Sequence, residues 1–478
     1  MEENLKHRTK VGAYWQFFNQ FCTYGMQFLI GIVMARLLTP EDYGITALPA
    51  AFYAIAGIFI EGSFGTALIR KEKLSEEDLS TAFLYSSSIG ILCFFLLFIG
   101  APWIAVFFNV PILSSLIRVT AIPFLWSGFM TPQSVILNRR LDFKTPAIIS
   151  VISKFFMGLV GISMAFGDYG VWALVVSSLV SSIITVVLTW FYVRWRPKTG
   201  WSRESFKYLW GFGNKMIATL LIDRTYTNIV PLIIGKYYSP SQLGEYNRAQ
   251  GYAQLPAQQF TSLLHNVSYP VLSKMQDDIG ILRSNYRRML RLCAFVMFPV
   301  MIMMAVLAKP LIVLLVTEKW IACVPYLQLM CVAMMWSPIH SINLALLLVK
   351  GRSDFFLRLE IIKKTIGFLI MAVSLPYGII PFLIGTVVHT LLCLFVNTYY
   401  TGKIINLGCF MQMWDVIPVL MLTTIMAITT HVTTLISDNY FIQLLVGCIV
   451  GSLTYLLGSY IFKFSELKDF KYMLKRDL

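Results

Sequence analysis

The chain has 478 residues, 57% of them hydrophobic and 13% charged, with a mean hydropathy of +0.70 and a formal charge of +15. A soluble domain carries roughly 25% charged residues, so this chain cannot clothe a water-exposed surface, and its long apolar runs lack the strict alternation of a membrane β-barrel. The positive charge invites a nucleic-acid partner, but the cations cluster at the ends of apolar runs, which excludes one.

The expected fold class is all-α: a polytopic membrane protein of about fourteen transmembrane helices. The polar start MEENLKHRTK runs into an apolar segment at 11–35 with no small-residue cleavage site, so it reads as a first span and not a removed signal peptide. Five more spans are expected at 44–69, 79–108, 112–137, 145–166 and 168–193. Six follow at 208–235, 244–272, 287–316, 321–348, 357–375 and 377–400, the last two separated by a tight turn at Pro376 and Gly378. The final pair lies at 413–435 and 440–462. The cysteines form no CxxC pair and sit mostly inside these runs, where they read as small buried hydrophobes. Trp103, Trp172, Trp195, Trp201 and Trp320 stand near span ends and are expected as interfacial anchors.

Most of the 39 lysines and arginines fall on alternate connections, such as Arg70–Lys73, Arg139–Lys144 and Arg194–Lys207. Cations favour the cytoplasmic side, so both termini are expected there, with the basic flanks attracting anionic membrane lipid. No connection is long enough for a soluble domain of about 50 residues.

A motif occurs twice. ARLLTPEDYG ends the first span and GKYYSPSQLG the seventh, aligning Arg36 with Lys236, Thr39 with Ser239, Pro40 with Pro240 and Gly44 with Gly244. Thr39 or Ser239 can cap the next helix, with proline in its first turn; Glu41 and Asp42 suit its positive end. The copies end odd-numbered spans on one side, which predicts a parallel repeat. The expected organisation is an N-terminal lobe over 1–200, a second lobe over 201–402, and a two-span appendage with a basic tail over 403–478.

Several ionised groups fall within spans, where each costs several kcal/mol unless paired or hydrated. They are Glu61, Arg118, Lys154, Lys215, Asp223, Arg224 and Arg248. Arg248, Tyr252 and Gln259 share one helical face. Arg224, Arg248, Lys215, Lys154 and Arg118, with Gln259 and Tyr252, are therefore candidate cavity-lining residues, the cations suited to phosphate oxygens. Glu61, Asp223 and His265 are candidates for coupling or for structural ion pairs. Plainer readings stand beside these: a structural bridge for Asp223 and Arg224, snorkelling for Lys154 and Glu61, an interfacial place for Arg118, and a loop-facing Glu245. No GxxxxGK[ST], HExxH, DxD or GxSxG motif occurs, so neither a cofactor nor enzymatic chemistry is expected.

Taken together, GAYWQFFNQFCTYGMQFLIGIVMARLLTPEDYG, EGSFGTALIRK, MTPQSVILNRRLDFK, GDYGVWALV, YLWGFGNKMIATLL and LGEYNRAQ resemble the Wzx-type polysaccharide exporters. These belong to the multidrug/oligosaccharidyl-lipid/polysaccharide flippase superfamily, and the likeness to the colanic acid and teichuronic acid exporters runs from residue 11 to about 400. The resemblance implies flipping of undecaprenyl-diphosphate-linked oligosaccharides across the bacterial inner membrane by alternating access, with coupling to a proton or sodium gradient. It also implies functional links to glycosyltransferases and to a polymerase–export system. A cation-coupled exporter of drugs or small amphiphiles in the same superfamily is the alternative, with a membrane glycan polymerase or a scaffold behind it.

Overall fold

The computed structural model describes residues 2–61 and 64–467, and the described residues form helices without a strand. In chain order the first helices are α1 (Glu2–Leu37), α2 (Pro40–Glu61), α3 (Phe64–Arg70), α4 (Glu76–Phe108), α5 (Leu113–Ala121), α6 (Phe124–Ser127) and α7 (Met130–Arg139). Next come α8 (Lys144–Phe166), α9 (Val171–Val193), α10 (Arg203–Tyr237), α11 (Pro240–Lys274), α12 (Ile279–Val306) and α13 (Ala308–Val316). The remainder are α14 (Cys323–Met334), α15 (Ser337–Val349), α16 (Ser353–Ser374), α17 (Ile379–Ile405), α18 (Cys409–Thr434) and α19 (Tyr440–Ile461).

Ten helical segments among the described residues are long and apolar enough to cross a membrane, or eleven if α5–α6 and α7, bent by 52°, make one broken span. The expected spans over α1, α11 and α16 lie outside that set; α16 carries Arg358, Glu360, Lys363 and Lys364 within three turns. Large apolar side chains such as Leu96, Val187, Leu369 and Ile428 are more than half exposed. That surface suits lipid and not water, and the chain is a multi-pass membrane protein.

Packing divides the chain into two units, Met1–Asn247 and Arg248–Leu478. In the first, α8 packs on α1 and α9, α4 on α5 and α6, and α10 on α2, α3 and α4. One end of this unit is tied by Arg139, whose guanidinium donates to the carbonyls of Leu68 at 3.1 Å, Lys71 at 2.5 Å and Glu72 at 2.9 Å, closing off the C-terminus of α3. Trp195 Nε1 donates to Glu76 Oε2 at 3.0 Å at the same end.

The repeated motif sits at the other end. Each copy builds the same cap: Asp42 N donates to Thr39 Oγ1 while the Asp42 carboxylate accepts from Thr39 N at 2.9 Å, and Gln242 and Ser239 reproduce the exchange at 3.3 Å. This reciprocal pattern satisfies two otherwise orphaned N–H groups. The glycines then meet. A Cβ on Gly44 would lie 1.7 Å from Pro240 O, and one on Gly244 would lie 1.8 Å from Pro40 O. The two copies pack backbone to backbone, and only hydrogen fits at either glycine.

In the second unit α12 packs on α14, α15 and α18, α17 on α14, α15 and α16, and α19 on α18 and α13. A buried polar chain crosses it: Tyr286 donates to Gln412 Oε1 at 3.0 Å, Gln412 Nε2 to Thr401 at 3.2 Å, and Thr401 to Asn343 Oδ1 at 2.8 Å. Beside it Arg287 holds Asp415 through two bonds of 2.7 and 2.6 Å, while Arg291 reaches Asp415 at 3.5 Å and Glu466 at 2.8 Å. These bonds tie α18 and the segment after α19 to α12.

Two predictions follow from this packing. Gly44→Ala and Gly244→Ala should each reduce the yield of monodisperse detergent-extracted protein and lower its apparent melting temperature, because backbone must move. Gly57→Ala, with nothing within 4 Å of the added methyl, should do neither. Asp415→Ala should lower the melting temperature by the equivalent of about 1–3 kcal/mol, since it strands Arg287 and leaves Arg291 with Glu466 alone, both arginines being about a third exposed.

Candidate functional site

Helix α10 owes its burial to Ser205, Leu209 and Ile217, which with Gly213 form a stripe at four-residue spacing. Burial resumes at Ile234, and no residue between Ile217 and Ile234 is buried. Asp223, Arg224, Thr225 and Thr227 are exposed in this window. Thr227 Oγ1 returns to Asp223 O at 3.0 Å and Asn228 Nδ2 to Arg224 O at 2.8 Å, so these polar groups are spent on their own helix. Among the described residues the Arg224 guanidinium makes no hydrogen bond or ion pair. About 20 Å of helix separates it from Tyr237, the nearer end. A charge so placed costs about 3 kcal/mol in hydrocarbon, and the cost disappears only if this part of α10 meets water or an anion.

Arg248, in α11, is half-buried against aromatic faces. Its guanidinium carbon lies 5.2 Å from the Tyr252 ring centroid and 5.6 Å from that of Trp320. Such contacts stabilise a guanidinium by roughly 1–2 kcal/mol when desolvated. The structure thus brings together Arg248 and Tyr252, two of the residues expected on one face. Gln259 shares their helical angle but is exposed, whereas Tyr252 is buried. Trp320, expected as an interfacial anchor, is fully buried, and Trp195 is 8% exposed. Hydrophobicity and position near a span end do not distinguish an anchor from a ring that a neighbouring cation or carboxylate draws inward. Glu245 likewise lies buried, accepting from Ser241 at 3.2 Å, because it falls in the first buried turns of α11 and not in the loop.

Arg118 and Lys154 stand on other helices, in the first unit. Arg118, in α5, is half-buried against α4, with Nε 3.4 Å from Phe98 O and its guanidinium carbon 5.0 Å from the Phe98 ring. Lys154 is half-buried in α8 with its ammonium 3.8 Å from Met157 Sδ. The side chains of Glu61, Lys215 and His265 lie outside the described residues.

Sequence reasoning missed a cavity of about 460 Å³ inside the first unit, between α2, α3, α6, α7 and α9. It opens where the α5–α6 segment bends into α7. Gly90 and Gly128 let that bend sit directly on α4: an added methyl would fall 2.3 Å from Phe124 O and 2.4 Å from Ser86 C. Thr131, Ser134 and Asn138 face the cavity at i, i+3 and i+7 on α7, opposite Ser182 and Thr185 on α9. The signal was present in MTPQSVILN, whose polar residues fall on one helical face, but it carries no charge.

The family model described as "Polysaccharide biosynthesis protein" matches residues 33–325. The teichuronic acid biosynthesis protein TuaB of Bacillus subtilis is 26% identical over 346 residues, covering 72% of this chain and 71% of that protein. The lipopolysaccharide biosynthesis protein WzxC of Escherichia coli is 23% identical over 401 residues, covering 83% and 80%. The solved structure of the lipid II flippase MurJ in an inward closed conformation superimposes with a TM-score of 0.75 at 18% identity, over 95% of this chain and 98% of that one. That last likeness is one of fold. With a family model matched over more than half its length, the chain belongs to the polysaccharide biosynthesis protein family.

Proposed function

We propose that the protein flips undecaprenyl-diphosphate-linked oligosaccharides from the cytoplasmic to the outer leaflet of the bacterial inner membrane during surface polysaccharide synthesis. The observation that carries this reading is Arg224, a cation without a protein partner among the described residues, midway along a helix long and apolar enough to span. A pyrophosphate supplies the anion such a guanidinium needs, and its fork of donors matches phosphate geometry. The names of the relatives, which concern teichuronic acid and lipopolysaccharide synthesis, and the shared fold with a lipid II flippase support the same reading.

In this account the isoprenoid tail stays in the bilayer while the head crosses a hydrated path, avoiding the desolvation of its charges. The lobes over 1–200 and 201–402 alternate access, the pair of spans after 403 remains attached to the second, and both termini face the cytoplasm. Arg248, Lys215, Lys154 and Arg118 add positive potential, and Glu61, Asp223 and His265 are the groups through which a proton or sodium gradient acts. The protein performs no covalent chemistry. Glycosyltransferases supply its cargo and a polymerase or export system consumes it.

In cells lacking the native protein, the chain should relieve accumulation of the lipid-linked intermediate on the inner leaflet. Arg224→Ala should leave protein levels in the membrane unchanged while reducing surface polymer roughly tenfold or more, the scale of one lost charge-assisted contact to phosphate. Arg224→Lys should restore part of the yield. Full polymer from Arg224→Ala would remove the residue from the mechanism.

A further inference from the structure

We propose that the hydroxyl-lined cavity of the first unit is a subsite for an uncharged sugar of the cargo, distinct from the cations that meet its pyrophosphate. This rests on the flippase reading and adds what part of the head is recognised and where.

The lining chemistry selects the ligand. None of the fourteen lining residues is charged, so a phosphate finds no cation there and a cationic drug finds no carboxylate. An apolar guest would leave hydroxyls and an amide without partners, at a cost that water would not impose. The side chains of Thr66, Thr131, Ser134 and Asn138 make no hydrogen bond among the described residues and are available to a ligand. Each hydroxyl both donates and accepts, and the Asn138 amide does the same. Sugar hydroxyls require that mixed capacity.

Two rings complete the site. Trp126 Nε1 donates to Ser182 Oγ at 2.9 Å, which fixes the indole at the cavity wall. Tyr53 is held by stacking on Phe124, with centroids 4.4 Å apart and planes 13° apart. Such rings offer an apolar surface to the C–H face of a pyranose while the α7 hydroxyls take its polar edge. The volume of about 460 Å³ falls in the usual range for small-ligand sites, about 300–1,000 Å³. It lies beside a broken span, where irregular backbone is tolerated because it borders a polar cavity.

The test compares two probes on the purified full chain in lipid nanodiscs: undecaprenyl diphosphate bearing one neutral hexose, and the same lipid without sugar. Binding is read from Trp126 emission, identified by its loss in Trp126→Phe, and independently by calorimetry. The wild type should bind the glycosylated lipid more tightly. Ser134→Ala with Asn138→Ala should weaken that binding about tenfold, the scale of two lost hydrogen bonds, and leave the bare lipid unchanged. Both side chains are exposed, so truncation removes little packing, and each single variant carries the same comparison. Ser134→Thr, which keeps the hydroxyl, should retain the preference. Equal weakening for both lipids, or none for either, overturns the sugar subsite while leaving the flippase reading intact. A wild-type chain that binds neither lipid overturns the flippase reading, and the subsite with it.

Discussion

The contact between Gly44 and Gly244 is the constraint around which the first unit is organised. Two copies of one turn, each closed by its own reciprocal cap, bring the starts of α2 and α11 to backbone contact. No side chain fits between them, so the approach is fixed by peptide geometry and not by adjustable packing. The position of α10 follows, since it ends in the second copy and lies along α2, α3 and α4. Where α10 leaves that support, its middle turns are uncovered, and this is where Arg224 stands.

The repeat, the caps and the order of helices were legible because each rests on local chemistry: hydroxyl and proline before a helix, glycine four residues on, apolar runs of bilayer length. What the turns do to one another was not legible. The motif could be read as a helix–turn–helix stencil at each site, but nothing local says that the two glycines face each other. The same limit explains Trp195, Trp320 and Glu245. Their sequence neighbourhoods resemble span ends, whereas Trp195 and Trp320 meet partners far along the chain, Glu76 and Arg248, and Glu245 falls in the buried first turns of α11.

The candidate site shows the complementary lesson. Charges inside expected spans announce themselves, and Arg224 and Arg248 are singled out that way; the structure places them in an exposed window of α10 and beside aromatic rings in α11. Neutral polar residues do not. Thr131, Ser134 and Asn138 cost little in a helix and are common in packed interiors, so only the 52° bend and the glycine contacts of α4 reveal that they border a cavity. On the proposed reading, the cationic and hydroxylated regions would divide recognition of a glycosylated pyrophosphate into two chemically separate tasks. Phosphate oxygens need a fixed positive charge, and sugar hydroxyls need groups that donate and accept.

The central claim, that the chain carries a lipid-linked glycan head across a bilayer, is tested most directly in sealed vesicles containing only the purified protein. Oligosaccharide-bearing undecaprenyl diphosphate would be placed on one leaflet, and its glycan followed on the other with a membrane-impermeant glycosidase. The account predicts time-dependent crossing that requires the protein, operates on intact lipid and leaves the glycan unchanged in length. Glycans that stay on their original leaflet while the same vesicles export a small amphiphilic cation, or glycans that emerge joined to one another, would contradict it.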